Sequence, residues 1–338
     1  MNPFKYEKAA SLSGAITAVQ RPGGVYLGGG TNLIDLWKYG ITHPDKMVDL
    51  NGLNELKSIT ELPDGGVRLG ALVSNNTTAY HPLILERYPL LSRTILAGAT
   101  AQIRNSATNG GNLLQRTRCY YFYDPDSPCN KRNPGSGCPA INGHNRLHAI
   151  LGHSDSCIAT FPSDMCVALA ALEARVRVSG PDGERTIEFT DFHRLPGDKP
   201  ELDNNLGQHE LITAIDLPAN GFADNYSYLK LRDRNSYAFA LVSVATGLSI
   251  QDGLIREARI ALGGVAHIPW RLTAAEAELR GKEPTEANFA TAADIILAGA
   301  SGFEHNSFKI ELARRAIIRN GMMALDPASQ RPGAQPSL

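Results

Sequence analysis

The sequence predicts a protein of the α+β class, and three observations carry that expectation. Short helical and strand patterns alternate through the first hundred residues. Glycine pairs or triplets stand at the joints, in Gly28-Gly29-Gly30 and Gly110-Gly111. A later block of strand-like segments closes on a long helical pattern at Phe308–Met323. The chain has 338 residues, 33 basic against 34 acidic, for a net charge of −1. At about 100–200 residues per domain, that length allows two or three domains, each with a sizeable core. With 43% hydrophobic and 20% charged residues it is an ordinary globular composition. The balanced charge gives no basic field for nucleic acid. No apolar run reaches the roughly 20 residues that span a bilayer, so no membrane span is expected. The first residues, Met1-Asn2-Pro3-Phe4-Lys5-Tyr6-Glu7, hold no apolar segment of the secretory kind.

Taken in order, Ser11–Gln20 reads as a helix, Gly24–Leu27 as a strand, Thr31–Tyr39 as a helix and Lys46–Leu50 as a strand. That alternation makes an α/β unit over 1–60. A second unit, 61–200, opens with a strand at Gly66–Leu72 and helical patterns at Leu83–Tyr88 and Leu90–Ala97. Apolar periodicity then fails from Gln115 to about His153, a stretch rich in Pro, Gly, Asn and Arg. A coil of that length inside a compact domain needs its own source of order. Periodicity resumes with a helix at Asp164–Leu172 and a strand at Ala174–Ser179, followed by a turn at Asp182-Gly183. The polar, proline-containing Pro196–Gly207 reads as a boundary. A last domain, 208–326, holds strands at Tyr228–Leu231, Ala240–Ile250 and Ala258–Leu262, then helices at Thr273–Arg280 and Phe308–Met323. Residues 327–338 read as a frayed tail.

The first glycine turn, Leu27-Gly28-Gly29-Gly30-Thr31-Asn32-Leu33, joins an apolar strand to a helix. Glycine lets backbone N–H groups approach an anion, and the helix adds its positive end. Thr31 and Asn32 offer side-chain donors. No Lys-Ser/Thr follows, which excludes a P-loop. Leu33 stands where a dinucleotide fingerprint has its third glycine, which disfavours a nicotinamide dehydrogenase. A ligand-free tight turn is the plainer alternative. The second turn, Ile103-Arg104-Asn105-Ser106-Ala107-Thr108-Asn109-Gly110-Gly111-Asn112, repeats the chemistry. Two such turns could grip one extended diphosphate from both sides.

Five cysteines lie between Cys119 and Cys166, and nowhere else. Cys119, Cys129, Cys138 and Cys157 are separated by nine, eight and eighteen residues. Disulfides are unneeded in a well-cored domain. Structural zinc prefers tight Cys-x2–4-Cys pairs, which are absent. An iron–sulfur cluster requires four converging thiolates and tolerates wide spacing if the loop wraps it. Arg116, Arg118, Lys131, Arg132 and Arg146 would complement an anionic cluster. Spacing alone leaves cluster, zinc and disulfide open. His144, His148 and His153 share no helical face and read as hydrogen-bonding or exposed residues. Cys166, inside a helical pattern, reads as a buried apolar thiol.

The two glycine turns, with Pro162-Ser163-Asp164, Gly263-Gly264-Val265-Ala266 and Pro269-Trp270-Arg271, resemble the FAD-binding medium subunits of the xanthine dehydrogenase and carbon monoxide dehydrogenase class of molybdenum hydroxylases. The resemblance runs through nearly the whole chain. It implies two FAD-binding subdomains of the vanillyl-alcohol-oxidase type and a C-terminal domain of antiparallel sheet and helices. Pyrophosphate contacts are implied at Gly28–Asn32 and at Thr108, Gly111 and Asn112. Asp164 is implied on the ribityl or adenosine side, and Lys230 near the isoalloxazine, although a surface lysine is the plainer reading of Lys230. Most relatives run from the second turn straight to the Pro-Ser-Asp segment. The insertion here, 115–158, is similar to that of the bacterial periplasmic aldehyde oxidoreductases, which implies a [4Fe–4S] cluster on Cys119, Cys129, Cys138 and Cys157.

The resemblance also implies an electron-transfer role in a heterotrimer. A large molybdopterin subunit would oxidise an aldehyde, and a small [2Fe–2S] subunit and this FAD would carry electrons to an external acceptor. No nucleophile or general-base constellation appears in this chain. Without an apolar leader, the subunit is expected in the cytoplasm or exported with a partner that carries a signal. A metal-stapled nucleotide-binding scaffold without redox turnover is the rival.

Overall fold

A computed structural model describes residues 2–330 and divides their strands among three sheets. The first contains β1 (Lys5–Lys8), β2 (Gly24–Leu27) and β3 (Lys46–Asp49), all parallel in the order β1-β3-β2. Parallel strands need crossovers, and the helices Leu12–Val19 and Leu33–Lys38 supply them. Ser11 starts the former by accepting a hydrogen bond from the Gly14 amide, and Ala15, Ile16, Ala18 and Val19 form its buried face. β2 delivers the chain to the first glycine turn, where Gly30 adopts φ +71°.

The second sheet holds β4 (Ile59–Glu61), β5 (Val67–Gly70), β6 (Arg175–Gly180), β7 (Gly183–Glu188) and β8 (Leu211–Leu217), in the order β4-β5-β8-β6-β7. Every pairing is antiparallel, so the expected second α/β unit is an antiparallel sheet with helices on one side. Pro196–Gly207 is likewise a loop of this unit and not a boundary. β8, which the expected division gave to the C-terminal domain, lies between β5 and β6 and satisfies its backbone on both edges. Asp203 then pins the loop through ion pairs to Arg116 and Lys131.

The third sheet runs β12-β11-β10-β9, an antiparallel meander of β9 (Tyr226–Leu231), β10 (Val242–Gln251), β11 (Leu254–Gly263) and β12 (Trp270–Arg271). The helices Thr273–Leu279, Glu286–Ile296 and Phe308–Met323 follow it, and the last packs against β10. The middle helix was not expected: Phe289 is the only large apolar side chain in its first eight residues, and its buried face is otherwise mostly alanine. The expected frayed tail also starts too early. Pro327–Ser329 forms a 3₁₀ turn, and Arg93 donates to the backbone of Pro327 and Gln330. Residues 331–338 lie outside the described part.

The Asp164–Ala171 helix joins the second and third layers. Met165 through Ala171 are all buried, packed into one core with strands of the second sheet and with Tyr228, Ala245 and Ala261 of the third. Its close approach to β11 depends on Gly263, where an added Cβ would meet Ser243 Oγ at 2.5 Å and Val167 Cγ2 at 2.6 Å. Gly263→Val should therefore cost about 1–3 kcal/mol of stability by overpacking, measurable as a lower urea midpoint with unchanged slope.

Candidate functional site

The two glycine turns meet at their backbones. A Cβ on Gly29 would sit 1.8 Å from the Ser106 carbonyl oxygen, and Ser106 Oγ donates to the Gly29 carbonyl at 2.9 Å. On Gly28 it would lie 3.1 Å from Thr108 Oγ1. Thr108 starts the short Asn109–Leu113 helix by accepting from the Gly111 amide. Asn32 Oδ1 accepts from the Arg116 amide at 2.9 Å. The turns thus abut along one edge instead of facing each other across a gap, and Gly29 is required first by the second turn.

That edge lies between two cavities of about 400 and 320 Å³, both lined by Thr31, Asn32 and Gly111. One is bounded by apolar groups, among them Tyr26, Ile41, Leu50 and Leu72. The other contains Gly98, Arg104, Asn112, Ser163, Asp164 and Lys230. Together they form one elongated cleft with an amide-rich waist. Asn32 Nδ2 is buried there without a partner, a donor awaiting an acceptor. The cleft suits a dinucleotide whose diphosphate crosses the waist, so the residues present fit FAD.

Asn112 is held by its neighbours: Oδ1 accepts from Ser163 Oγ at 2.6 Å and Nδ2 donates to Asn75 at 2.8 Å. Its amide is committed inside the protein. Asp164, the first residue of its helix, accepts from Lys230 Nζ at 2.7 Å and from the Tyr228 hydroxyl at 2.5 Å. Burial and the Asp164 charge drive the Tyr228 phenol well above its ordinary pKa. Lys230 is a buried ion-pair partner, not a surface lysine, and donates also to the Ala97 carbonyl. Sequence reasoning missed Arg104, which lines the cleft with its Nε unpartnered. The Ile-Arg-Asn run that contains it was the available signal. Tyr237 and Phe239, exposed at the cleft mouth, gave none.

Cys119, Cys129, Cys138 and Cys157 line a single tight pocket with Lys131 and His148. Gly135 and Gly137, at φ +86° and +108°, bend the chain there, and Ser136 Oγ accepts from the Cys129 amide. All five cysteines are free thiols, so disulfides play no part. Burial pushes Cys119 up to about 12 and Cys157 up to about 11. Cys166 is fully buried in its helix, outside the cavity. Among the described residues, no three His, Cys, Asp or Glu side chains converge closely enough to hold one metal ion. Cys129 and Cys157 are buried and Cys119 and Cys138 half-buried, and four thiols on one pocket are the donor set that an iron–sulfur cluster takes.

The charges expected to face a cluster are mostly used elsewhere. Arg116 and Lys131 both bind Asp203, Arg118 binds Asp35, Arg146 binds Asp233, and Arg132 donates to backbone carbonyls. Of these five, only Lys131 lines the cavity. His148 Nε2 lies 3.1 Å from Cys119 Sγ, while His153 meets Ser301 and His144 stacks near Tyr120.

Burial alone would raise the Asp203 carboxyl, but Arg116 and Lys131 outweigh it and hold the pKa below the ordinary 3.8. Its contribution is therefore complete above that value and is lost as pH falls through the depressed one. Asp203→Asn should destabilise the protein by about 3–5 kcal/mol at neutral pH, because Lys131 is left buried and unpaired. In acid denaturation the variant should lack the wild type's steepening below about pH 4.

A family profile described as "FAD binding domain in molybdopterin dehydrogenase" matches residues 2–220, and one described as "CO dehydrogenase flavoprotein C-terminal domain" matches residues 226–316. The chain is 47% identical over 319 residues to the aldehyde oxidoreductase FAD-binding subunit PaoB of Escherichia coli K12, covering 94% of this chain and 96% of that one. It is 28% identical over 287 residues to the glyceraldehyde dehydrogenase medium chain of Sulfolobus acidocaldarius, 83% and 82% covered. Among solved structures, carbon monoxide dehydrogenase from Hydrogenophaga pseudoflava matches with a TM-score of 0.75 at 24% identity, covering 96% of this chain and 97% of the other. Quinoline 2-oxidoreductase from Pseudomonas putida 86 matches with a TM-score of 0.73 at 24% identity, covering 97% and 99%. These two share the fold. With both profiles spanning the chain in order and a relative alike along its whole length, the protein belongs to the FAD-binding subunits of the molybdenum hydroxylases.

Proposed function

We propose that this chain is the electron-transfer subunit of a three-part aldehyde oxidoreductase, holding one FAD in the long cleft and one [4Fe–4S] cluster in the cysteine cavity. The observation that carries the finer part is the lining of one pocket by Cys119, Cys129, Cys138 and Cys157, in the same chain as the cleft that the glycine turns border. The similarity to PaoB, named as an aldehyde oxidoreductase subunit, supports the substrate class.

When bound, FAD supplies a two-electron carrier that also exchanges electrons singly, and the cluster a one-electron centre. The chain's own part is to bind and orient. Backbone amides of Gly28–Asn32, with the unpartnered Asn32 side-chain amide, would meet the diphosphate, while the amides of Asn109, Gly110 and Gly111 are already donated to Val73, Ala71 and Thr108 and hold the second turn in shape beside it. Asn112 would act by holding Ser163 and Asn75 in place, and Asp164 would accept from the ribityl side while Lys230 and Tyr228 fix its carboxylate. In the assembly the aldehyde is oxidised on a large molybdopterin subunit. A small [2Fe–2S] subunit stands between, and this chain hands electrons to an external acceptor.

The purified complex tests this directly. It should show flavin absorption that dithionite bleaches and about four irons per copy of this chain, as four-thiolate ligation requires. A colourless chain holding one zinc would establish the scaffold reading instead. Serine at Cys119, Cys129, Cys138 or Cys157 should remove most of the iron, whereas Cys166→Ser should retain it. A requirement for Cys166, with one of the four dispensable, would overturn the ligand set. Gly29→Val should lose FAD because the valine collides with Ser106 and separates the turns. Full flavin content in that variant would refute the waist as the binding point.

A further inference from the structure

Four lysines are buried, and three have carboxylate partners. Lys46 meets Glu7 at 2.6 Å, Lys131 meets Asp203 at 2.6 Å, and Lys230 meets Asp164 at 2.7 Å. Lys309 has 0% exposure, and its Nζ donates to the carbonyl oxygens of His148 at 2.7 Å and Gly264 at 2.6 Å. Among the described residues no carboxylate pairs with it. Carbonyl dipoles alone are weak compensation for a buried ammonium.

Its place on its own helix makes the charge more conspicuous. Lys309 is the second residue of Phe308–Met323, at the helix end where unpaired N–H groups already supply positive potential. The acid in that first turn, Glu311, is exposed and paired with Arg315. Burial, and then Arg146, lower the Lys309 pKa to about 7. Burial thus favours the neutral amine, and holding Lys309 in its charged form calls for an anion that the side chains do not provide.

The cysteine cavity lies on the far side of His148. The His148 carbonyl accepts from Lys309 and from Asn306 Nδ2, while its ring Nε2 lies 3.1 Å from Cys119 Sγ. Helix end, Lys309, His148 and Cys119 therefore form one column. No Asp or Glu lines the cavity, and its one lysine, Lys131, shares a single carboxylate, Asp203, with Arg116. A cluster on four thiolates would bring the missing negative charge, and nearby charge is one of the levers that set its reduction potential.

We propose that Lys309 is a buried countercharge of the [4Fe–4S] cluster, acting from behind His148, and that it raises the cluster's reduction potential. The inference rests on the cluster reading above. Lys309 touches no proposed ligand, so it is a positioning and tuning residue.

The test compares wild type, Lys309→Met and Lys309→Arg in the purified complex. It measures iron and flavin per chain and the cluster midpoint potential by redox titration followed by electron paramagnetic resonance. Lys309→Met should load iron and lower the potential, with the reduced-to-oxidised ratio at a fixed potential falling about tenfold, or ~59 mV for one electron. Lys309→Arg should stay near wild type. Iron loss from the methionine variant that arginine restores would also support the countercharge. A fully loaded Lys309→Met with unchanged potential overturns the proposal while leaving the cluster reading intact. Iron loss from both variants overturns it too, because it marks a packing role. Iron-free wild type removes the cluster reading and this inference together.

Discussion

The architecture depends on one close approach, the Gly29 backbone against the Ser106 carbonyl. Hydrogen at that Cα is the only substituent the space admits. The contact fastens the parallel sheet to the second unit at the point where both present amide groups, and the cleft opens to either side of it. Had the turns been held apart by side chains, each would face water singly, and an isolated glycine turn orders few donors. Brought together, Thr31, Asn32 and Gly111 border both cavities. The same contact that closes the core thus creates the waist.

Around the waist the protein buries polar groups and satisfies them in chains. Asn109 bonds Asn75, Thr78 and the Gly70 carbonyl; Asn75 bonds Asn112; Asn112 bonds Ser163; and Ser163 caps the helix that begins with Asp164. Each bond contributes a net ~1 kcal/mol or so, but leaving a member unpaired costs about 1–3 kcal/mol. The network therefore favours one geometry more than it adds stability. Its product is a carboxylate at Asp164 fixed from two directions, by an ammonium and a phenol.

Local signals carried much of the fold. The strand at Gly24–Leu27 was legible to the residue because a glycine turn follows it, and the helix at Phe308–Met323 because Ile310, Ala313, Ile317 and Gly321 fall at helical spacing. Membership of the glycine turns in one site was legible too, through their shared composition. What could not be read is what depends on distant partners. β8 looked like the opening of a new domain because its neighbours β5 and β6 come from far earlier in the chain. The arginines of the insertion looked like complements to an anionic group, but Arg118 and Arg116 reach Asp35 and Asp203, 83 and 87 positions away. Lys230 looked exposed because nothing local shows that Asp164 returns beneath its strand. Charge type is a local property, whereas charge partnership is set by tertiary structure.

Much of the cysteine insertion is anchored by chain outside it, before it as well as after it. Its second half is held by His305 to Asn145, by Asn306 and Lys309 to His148, and by Ser301 to Ile150. The Lys309 contact closes a loop of 161 residues. Such contacts form late, since the entropy of a long closure is lost before the contact returns anything. The second half of the insertion therefore reaches these anchors only once the final long helix has left the ribosome and docked.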